Sequence, residues 1–119
     1  MALKGERAVL GWSYCYLKKH KENFDELSIT ELAEFREIIR DFRAAIGRAF
    51  CPDWFNIMQL GNMTHHLHFH LVPRYAKPRK FMGKRFVDKN YGDMVDNTWK
   101  SLDKKFLIGI VKEIKEQLD

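Results

Sequence analysis

The chain has 119 residues, 45% of them hydrophobic, and a formal net charge of +5. These values predict one domain with one core, residues 1–119, and exclude a disordered or low-complexity protein. No apolar run approaches the roughly 20 residues that a membrane-spanning helix needs. The first residues, "MALKGERAVLGW", lack the apolar core of a signal peptide, so a cytoplasmic location with no membrane partner is expected.

In chain order, "AVLGWSYCYL" (8–17) is rich in aromatic and β-forming residues and predicts a strand. "KKHKENFDE" follows as a polar turn. Ser28-Ile29-Thr30-Glu31 is a capping box. Behind it Leu32, Phe35, Ile39, Phe42, Ile46 and Ala49 recur at helical spacing, predicting an amphipathic helix over about 29–49. Cys51-Pro52-Asp53 ends it, and "WFNIMQL" (54–60) predicts a second strand. Gly61-Asn62 is turn chemistry. Residues 65–73 form a third strand, antiparallel to the second, which Pro73 closes or marks as an edge. Residues 74–97 read as irregular and basic. Phe106, Leu107, Ile110, Val111, Ile114 and Leu118 then predict a C-terminal helix over about 98–118. The expected class is α+β: a small antiparallel sheet with a long amphipathic helix packed on it, plus a C-terminal helix. Cys15 and Cys51 are too few for a disulfide framework and too far apart for a CxxC hook, so both are expected to be buried free thiols.

The third strand is the unusual one. "NMTHHLHFHLVPRY" (62–75) holds four of the five histidines. Side chains alternate faces along a strand, so His66, His68 and His70 share one face. Leu67, Phe69 and Leu71 share the other, suited to packing on the long helix; His65, at the start, reads as a strand-end residue. Three adjacent imidazoles would repel one another if all were charged, so stability alone does not account for them. Two chemistries fit. Three imidazoles on one face could bind a transition metal. Alternatively, one is a nucleophile and its neighbours position it and move protons. His20 is the only histidine distant in sequence. The following segment carries Arg74, Lys77, Arg79, Lys80, Lys84, Arg85 and Lys89 against a single acid, Asp88, which favours phosphate over a metal cation.

"HLHFHLV" (66–72) resembles the His-φ-His-φ-His-φ-φ signature of the histidine-triad (HIT) family, with φ a hydrophobic residue. The preceding "GN" is similar to the family's Gly-Gln/Asn, and "LVPRY" to its usual exit from the strand. The resemblance covers about residues 9–95. "FMGKRFVDKNYG" is similar to the bacterial and archaeal branch labelled diadenosine-polyphosphate-hydrolase-like. The resemblance implies a nucleotide hydrolase or nucleotidyl transferase. His68 would attack the α-phosphorus of a dinucleoside polyphosphate or related conjugate, forming a nucleotidyl-histidine that water then cleaves. His70 would contact the phosphate and the bridging atom, and His66 would orient His68 through its backbone carbonyl. Asn62, Gln59 and Asn56 match substrate-contacting positions. Arg74 and Arg79, the likeliest of the basic run to bind phosphate, would serve the leaving-group side of a long polyphosphate.

No tightly bound cofactor is implied; Mg2+, where needed, would arrive with the polyphosphate. Homodimers are common in the family and are expected here. Two departures stand out. Trp12 occupies a position where many members carry a further histidine, so that network is absent or rebuilt. The N-terminus lacks the leading strand and helix of longer members, which implies loose base selectivity or a base site completed by a dimer partner. Two other functions use the same residues: a metal-dependent enzyme built on the three histidines, or a non-catalytic nucleotide- or RNA-binding module, so nucleic acid also stays open as a partner.

Overall fold

The computed structural model describes residues 2–3, 9–96 and 104–118. Its strands and α-helices are β1 (Ala2–Leu3), β2 (Ser13–Tyr16), α1 (Ile29–Phe50), β3 (Trp54–Met58), β4 (His68–Arg74), β5 (Arg79–Phe81), β6 (Lys84–Phe86) and α2 (Lys104–Gln117), with a 3-10 turn at Phe24–Glu26. The class is α+β, as expected. One antiparallel sheet runs in the order β1-β2-β4-β3, and β5 and β6 form a separate hairpin. β4 is central, pairing Tyr16 with His68 and Ser13 with Leu71 on one side, and Met58 with His70 and Trp54 with Arg74 on the other.

The long helix starts where its capping box places it. The Ser28 side chain accepts the Glu31 N–H, and the Glu31 carboxylate accepts the Ser28 N–H at 2.9 Å. Lys21 adds a 2.6 Å ion pair to the same carboxylate. The hydrogen bond from Lys21, followed by that from the Ser28 backbone, pulls the Glu31 pKa down to about 2. The apolar stripe of α1 lies across one face of the sheet, with Phe35 on Phe69 (ring centroids 4.2 Å apart) and Phe42 near Phe55 (5.7 Å). Phe42, Ala45, Ile46, Leu67 and Leu71 are almost fully buried in this layer. The face opposite α1 is thereby left to the histidines.

Several boundaries differ from the sequence reading. Val9–Trp12 turn rather than extend: Trp12 N–H reaches the Val9 carbonyl, and Gly11 takes φ +83°. A side chain at Gly11 would also meet Ile46 Cδ1 at 3.0 Å. The leading strand is present as two residues, β1, paired to β2. β3 ends at Met58, and β4 begins at His68 and runs through Pro73 to Arg74. Pro73 is tolerated because the β2 ladder stops at Leu71, leaving β3 as its one neighbour. Residues 74–97 are not wholly irregular, since β5 and β6 pair there around a turn with positive φ at Met82 (52°) and Gly83 (78°). α2 is seen from Lys104; residues 97–103, which include the expected start of this helix, lie outside the described residues. Cys15 is buried as expected. Cys51 is exposed, because it is the left-handed C-cap of α1 (φ 49°) and sits beyond the last buried turn.

Candidate active site

The three triad histidines share the sheet face opposite α1, but each has a different partner. The His66 Nε2–H donates to the carbonyl of Leu17, the residue after β2. His68 Nδ1 lies 2.8 Å from the His66 carbonyl oxygen. A carbonyl only accepts, so Nδ1 carries a hydrogen, and in the neutral ring the lone pair is therefore on Nε2. His70 Nδ1 lies 3.0 Å from the indole nitrogen of Trp12. His70 is buried, while His66 and His68 are half-buried. The backbone supports this spacing: Leu67, between His66 and His68, donates its N–H to the Lys21 carbonyl and accepts from Leu17 N–H.

Aromatic rings wall the pair that faces the reactive space. Tyr16 stacks along His68 with centroids 5.9 Å apart and planes at 29°. Tyr14 meets His70 edge-on at 4.8 Å. Neither tyrosine belongs to a motif, although the period of two along "WSYCY" puts Trp12, Tyr14 and Tyr16 on a common face. His20 is distant in sequence, yet its ring centroid lies 5.6 Å from that of His66. Among the described residues no group of three or more histidine, cysteine, aspartate or glutamate side chains is arranged to hold a metal. Burial raises the pKa of the Cys15 thiol, so it supplies no thiolate to the site.

The candidate substrate residues separate into three groups. Gln59 and Asn62 are exposed in the connection between β3 and β4, at the end of the sheet that carries His66 and His68. Gln59 Nε2 donates to the Leu60 carbonyl at 2.6 Å. Asn56 lies on the triad face, but its Oδ1 accepts from Arg74 Nη1 at 2.8 Å. Asn56 and Met58 help line a cleft of about 570 Å³ whose other wall is the loop Tyr91–Val95. Met58 is the cross-strand partner of His70, so the cleft adjoins the triad.

Arg74 and Arg79 do not join the triad. Arg74 is six residues beyond His68 on the same strand, about 20 Å away at the rise of an extended chain. Its guanidinium is buried in a bidentate pair with Asp88, at 2.7 and 3.1 Å, and also donates to the carbonyls of Asn90 and Asp93. Arg79 caps the C-terminus of α1, with donors on the carbonyls of Phe50 (3.2 Å) and Cys51 (2.7 Å) and its cation 5.1 Å from the Tyr75 ring. Both guanidiniums are thus engaged by protein groups away from the triad, although Arg74 also lines the cleft beside Asn56 and Met58. The rest of the basic run travels with them: β5 and β6 stand off from the Arg74 end of β4, with Phe81 against Phe50 at the end of α1.

A central strand that lays three imidazoles on one face of a small antiparallel sheet, with a long capped helix on the other, defines a histidine-triad fold. The chain belongs to that family: residues 15–77 match the HIT domain. A histidine triad (HIT) protein from Sinorhizobium meliloti has the same fold with a TM-score of 0.75 at 20% identity, over 98% of this chain and 80% of that one. A Hit-like protein involved in cell-cycle regulation from Bartonella henselae, solved with an unknown ligand, gives 0.70 at 20% identity, over 98% and 77%. A hypothetical histidine triad nucleotide-binding protein from Sulfolobus tokodaii gives 0.68 at 23% identity, over 97% and 74%. At these identities the likeness is one of fold. No curated protein matches the chain. Among the described residues no helix is long and apolar enough to cross a membrane.

Proposed function

We propose that the protein is a nucleotide hydrolase or nucleotidyl transferase in which His68 is the nucleophile. One observation carries this reading: His68 Nδ1–H is tied to the His66 carbonyl at 2.8 Å, which puts the nucleophilic lone pair of the neutral ring on Nε2. His68 Nε2 attacks the α-phosphorus of a dinucleoside polyphosphate or related conjugate, and the bond to the bridging atom breaks. Water then attacks the nucleotidyl-histidine, the P–N bond breaks, and a nucleoside monophosphate is released. Two easier displacements replace one difficult one. Hydrogen-bond donors around the phosphate, with His70 foremost, offset the charge that develops on its oxygens.

The nucleoside fits the cleft beside Met58 and Asn56. Its size is within the range of small-molecule sites, and Trp54, two-thirds exposed, offers an aromatic ring on the same face. A homodimer belongs to the same proposal. β3 is an edge strand with Trp54 and Ile57 exposed, which suits pairing with a second copy. Sedimentation at micromolar concentration tests this, and a strictly monomeric chain would remove it. For the chemistry, the test is a panel of dinucleoside polyphosphates, nucleoside phosphoramidates and adenylated adducts, run on wild-type protein and on His68→Ala. Wild-type turnover that disappears in a folded His68→Ala protein is expected. Undiminished turnover in the variant would overturn the assignment.

A further inference from the structure

The proton inventory of the triad is set by the groups that its Nδ1 atoms meet. An indole N–H can donate and cannot accept. The Trp12 Nε1–H points at His70 Nδ1 over 3.0 Å, with Trp12 only 2% and His70 6% exposed. His70 Nδ1 must therefore be the unprotonated nitrogen, and the single hydrogen of the neutral ring sits on Nε2. Charging the ring would add a proton to Nδ1 and set two buried donors face to face, which is costly. Tyr14 faces His70 from β2 and His68 lies beside it on β4, with ring centroids 4.8 and 5.4 Å away, and Met58 opposes it on β3.

We propose that Trp12 is a positioning residue that holds His70 as a neutral Nε2–H donor, and that it thereby selects leaving groups that depart without taking a proton: phosphoanhydrides over phosphoramidates. The proposal rests on the reading of His68 as nucleophile.

The two reactions differ in one proton. With a phosphoanhydride, the His68 Nε2 lone pair forms the N–P bond and the bridging P–O bond breaks. The electron pair leaves on a terminal oxygen of the nucleoside polyphosphate product. That anion is stable at neutral pH, and the His70 Nε2–H hydrogen-bonds to it without transfer. With a phosphoramidate, the P–N bond breaks and the amine leaves only if a proton is added. Neutral His70 could supply that proton only by becoming an imidazolate, far too basic a product at neutral pH. A charged His70 could supply it, but the Trp12 contact opposes that form. The second half-reaction is common to both substrates: water forms the new P–O bond, the electron pair of the P–N bond returns to His68 Nε2, and the spare proton goes to solvent.

Two measurements test the proposal. The first is the long-range proton–nitrogen correlation spectrum of 15N-labelled wild-type protein at neutral pH. It is expected to show His70 as the neutral Nε2–H tautomer. A His70 that is charged or carries its hydrogen on Nδ1 would overturn the proposal without any variant. The second is the ratio of kcat/KM for a dinucleoside polyphosphate to that for a nucleoside phosphoramidate of the same base. Wild type is expected to favour the polyphosphate. Trp12→Phe keeps most of the ring volume and removes the donor, so the ratio is expected to fall about tenfold or more as His70 becomes free to act as an acid. An unchanged ratio in a folded variant would overturn the selection. Should Trp12→Phe not fold, the wild-type spectrum and the wild-type ratio still decide. Wild-type protein that turns over neither substrate would sink the nucleotide reading and the leaving-group selection together. An Nε2–H His70 in that same protein would show that the failure lies in the chemistry and not in the Trp12 contact.

Discussion

The two ends of β4 carry polar clusters built on opposite terms. At the Arg74 end, the guanidinium is buried and consumed by one carboxylate, one side-chain amide and two carbonyls. At the histidine end, His66 Nε2, His68 Nδ1 and His70 Nδ1 each meet a protein group, and His66 and His68 keep partial contact with solvent. The first arrangement satisfies a cation and ties the loop 88–93 to the sheet. The second fixes tautomers and leaves reactive nitrogens for a substrate. Both are dense in ionisable groups, so density alone does not mark a reactive site. What separates them is burial: Arg74 is enclosed, whereas His66 and His68 keep contact with solvent.

Removing Arg74 should have the largest effect on stability. Arg74→Ala leaves Asp88 as a buried, unpaired carboxylate, and about 3–5 kcal/mol of destabilisation is expected from denaturant unfolding. Replacing both partners with apolar residues of similar size should recover much of that loss. A loss under about 1 kcal/mol for the single variant would show that the pair is not a structural anchor.

Arg79 sharpens the same contrast. It caps α1 and is partly exposed, so Arg79→Ala should cost about 1 kcal/mol of stability. Its effect on turnover should not depend on polyphosphate length. A selective loss on longer polyphosphates would move Arg79 back into the substrate site.

Tyr16 stands at the reactive end and is half exposed against His68. Tyr16→Ala should change stability by no more than about 0.5 kcal/mol, as for other surface changes, yet lower kcat/KM severalfold. If stability falls and turnover does not, the stack belongs to the fold.

The smallest effect is a pH dependence. Glu31 is held well below its ordinary value of 4.5, at about 2, chiefly by Lys21. The Lys21 carbonyl in turn holds Leu67 between two triad histidines. A depressed carboxylate contributes stability that is complete above its unfolded pKa and is lost as pH falls through the folded one. Thermal melts should therefore show Glu31 stabilisation shrinking between about pH 4.5 and about pH 2, and Glu31→Gln should lack that component of the slope. Identical slopes would mean that the pair contributes nothing measurable.

Much of this was legible in the sequence, and the limits have physical causes. The capping box and the three-four spacing located α1 to within one residue at its C-terminal end, because both signals are local. The alternation in "HLHFHLV" separated the histidine face from the helix face for the same reason. The β5–β6 hairpin was missed because its turn places methionine, not asparagine, at one of two positive-φ positions. The fate of Arg74 depends on Asp88, fourteen residues away, and the pairing of Trp12 with His70 spans 58 residues. A charge run shows that cations exist but not which of them are already paired. Cys51 followed the usual tendency of cysteine to be buried only until the helix end required a left-handed cap.

The most direct test of the central claim is to look for the covalent intermediate. Wild-type protein mixed with a dinucleoside polyphosphate and quenched rapidly should carry one nucleoside monophosphate, acid-labile and mapping by peptide mass spectrometry to His68. His68→Ala should carry none. An adduct on His66 or His70, or turnover with no adduct at any quench time, would contradict the account.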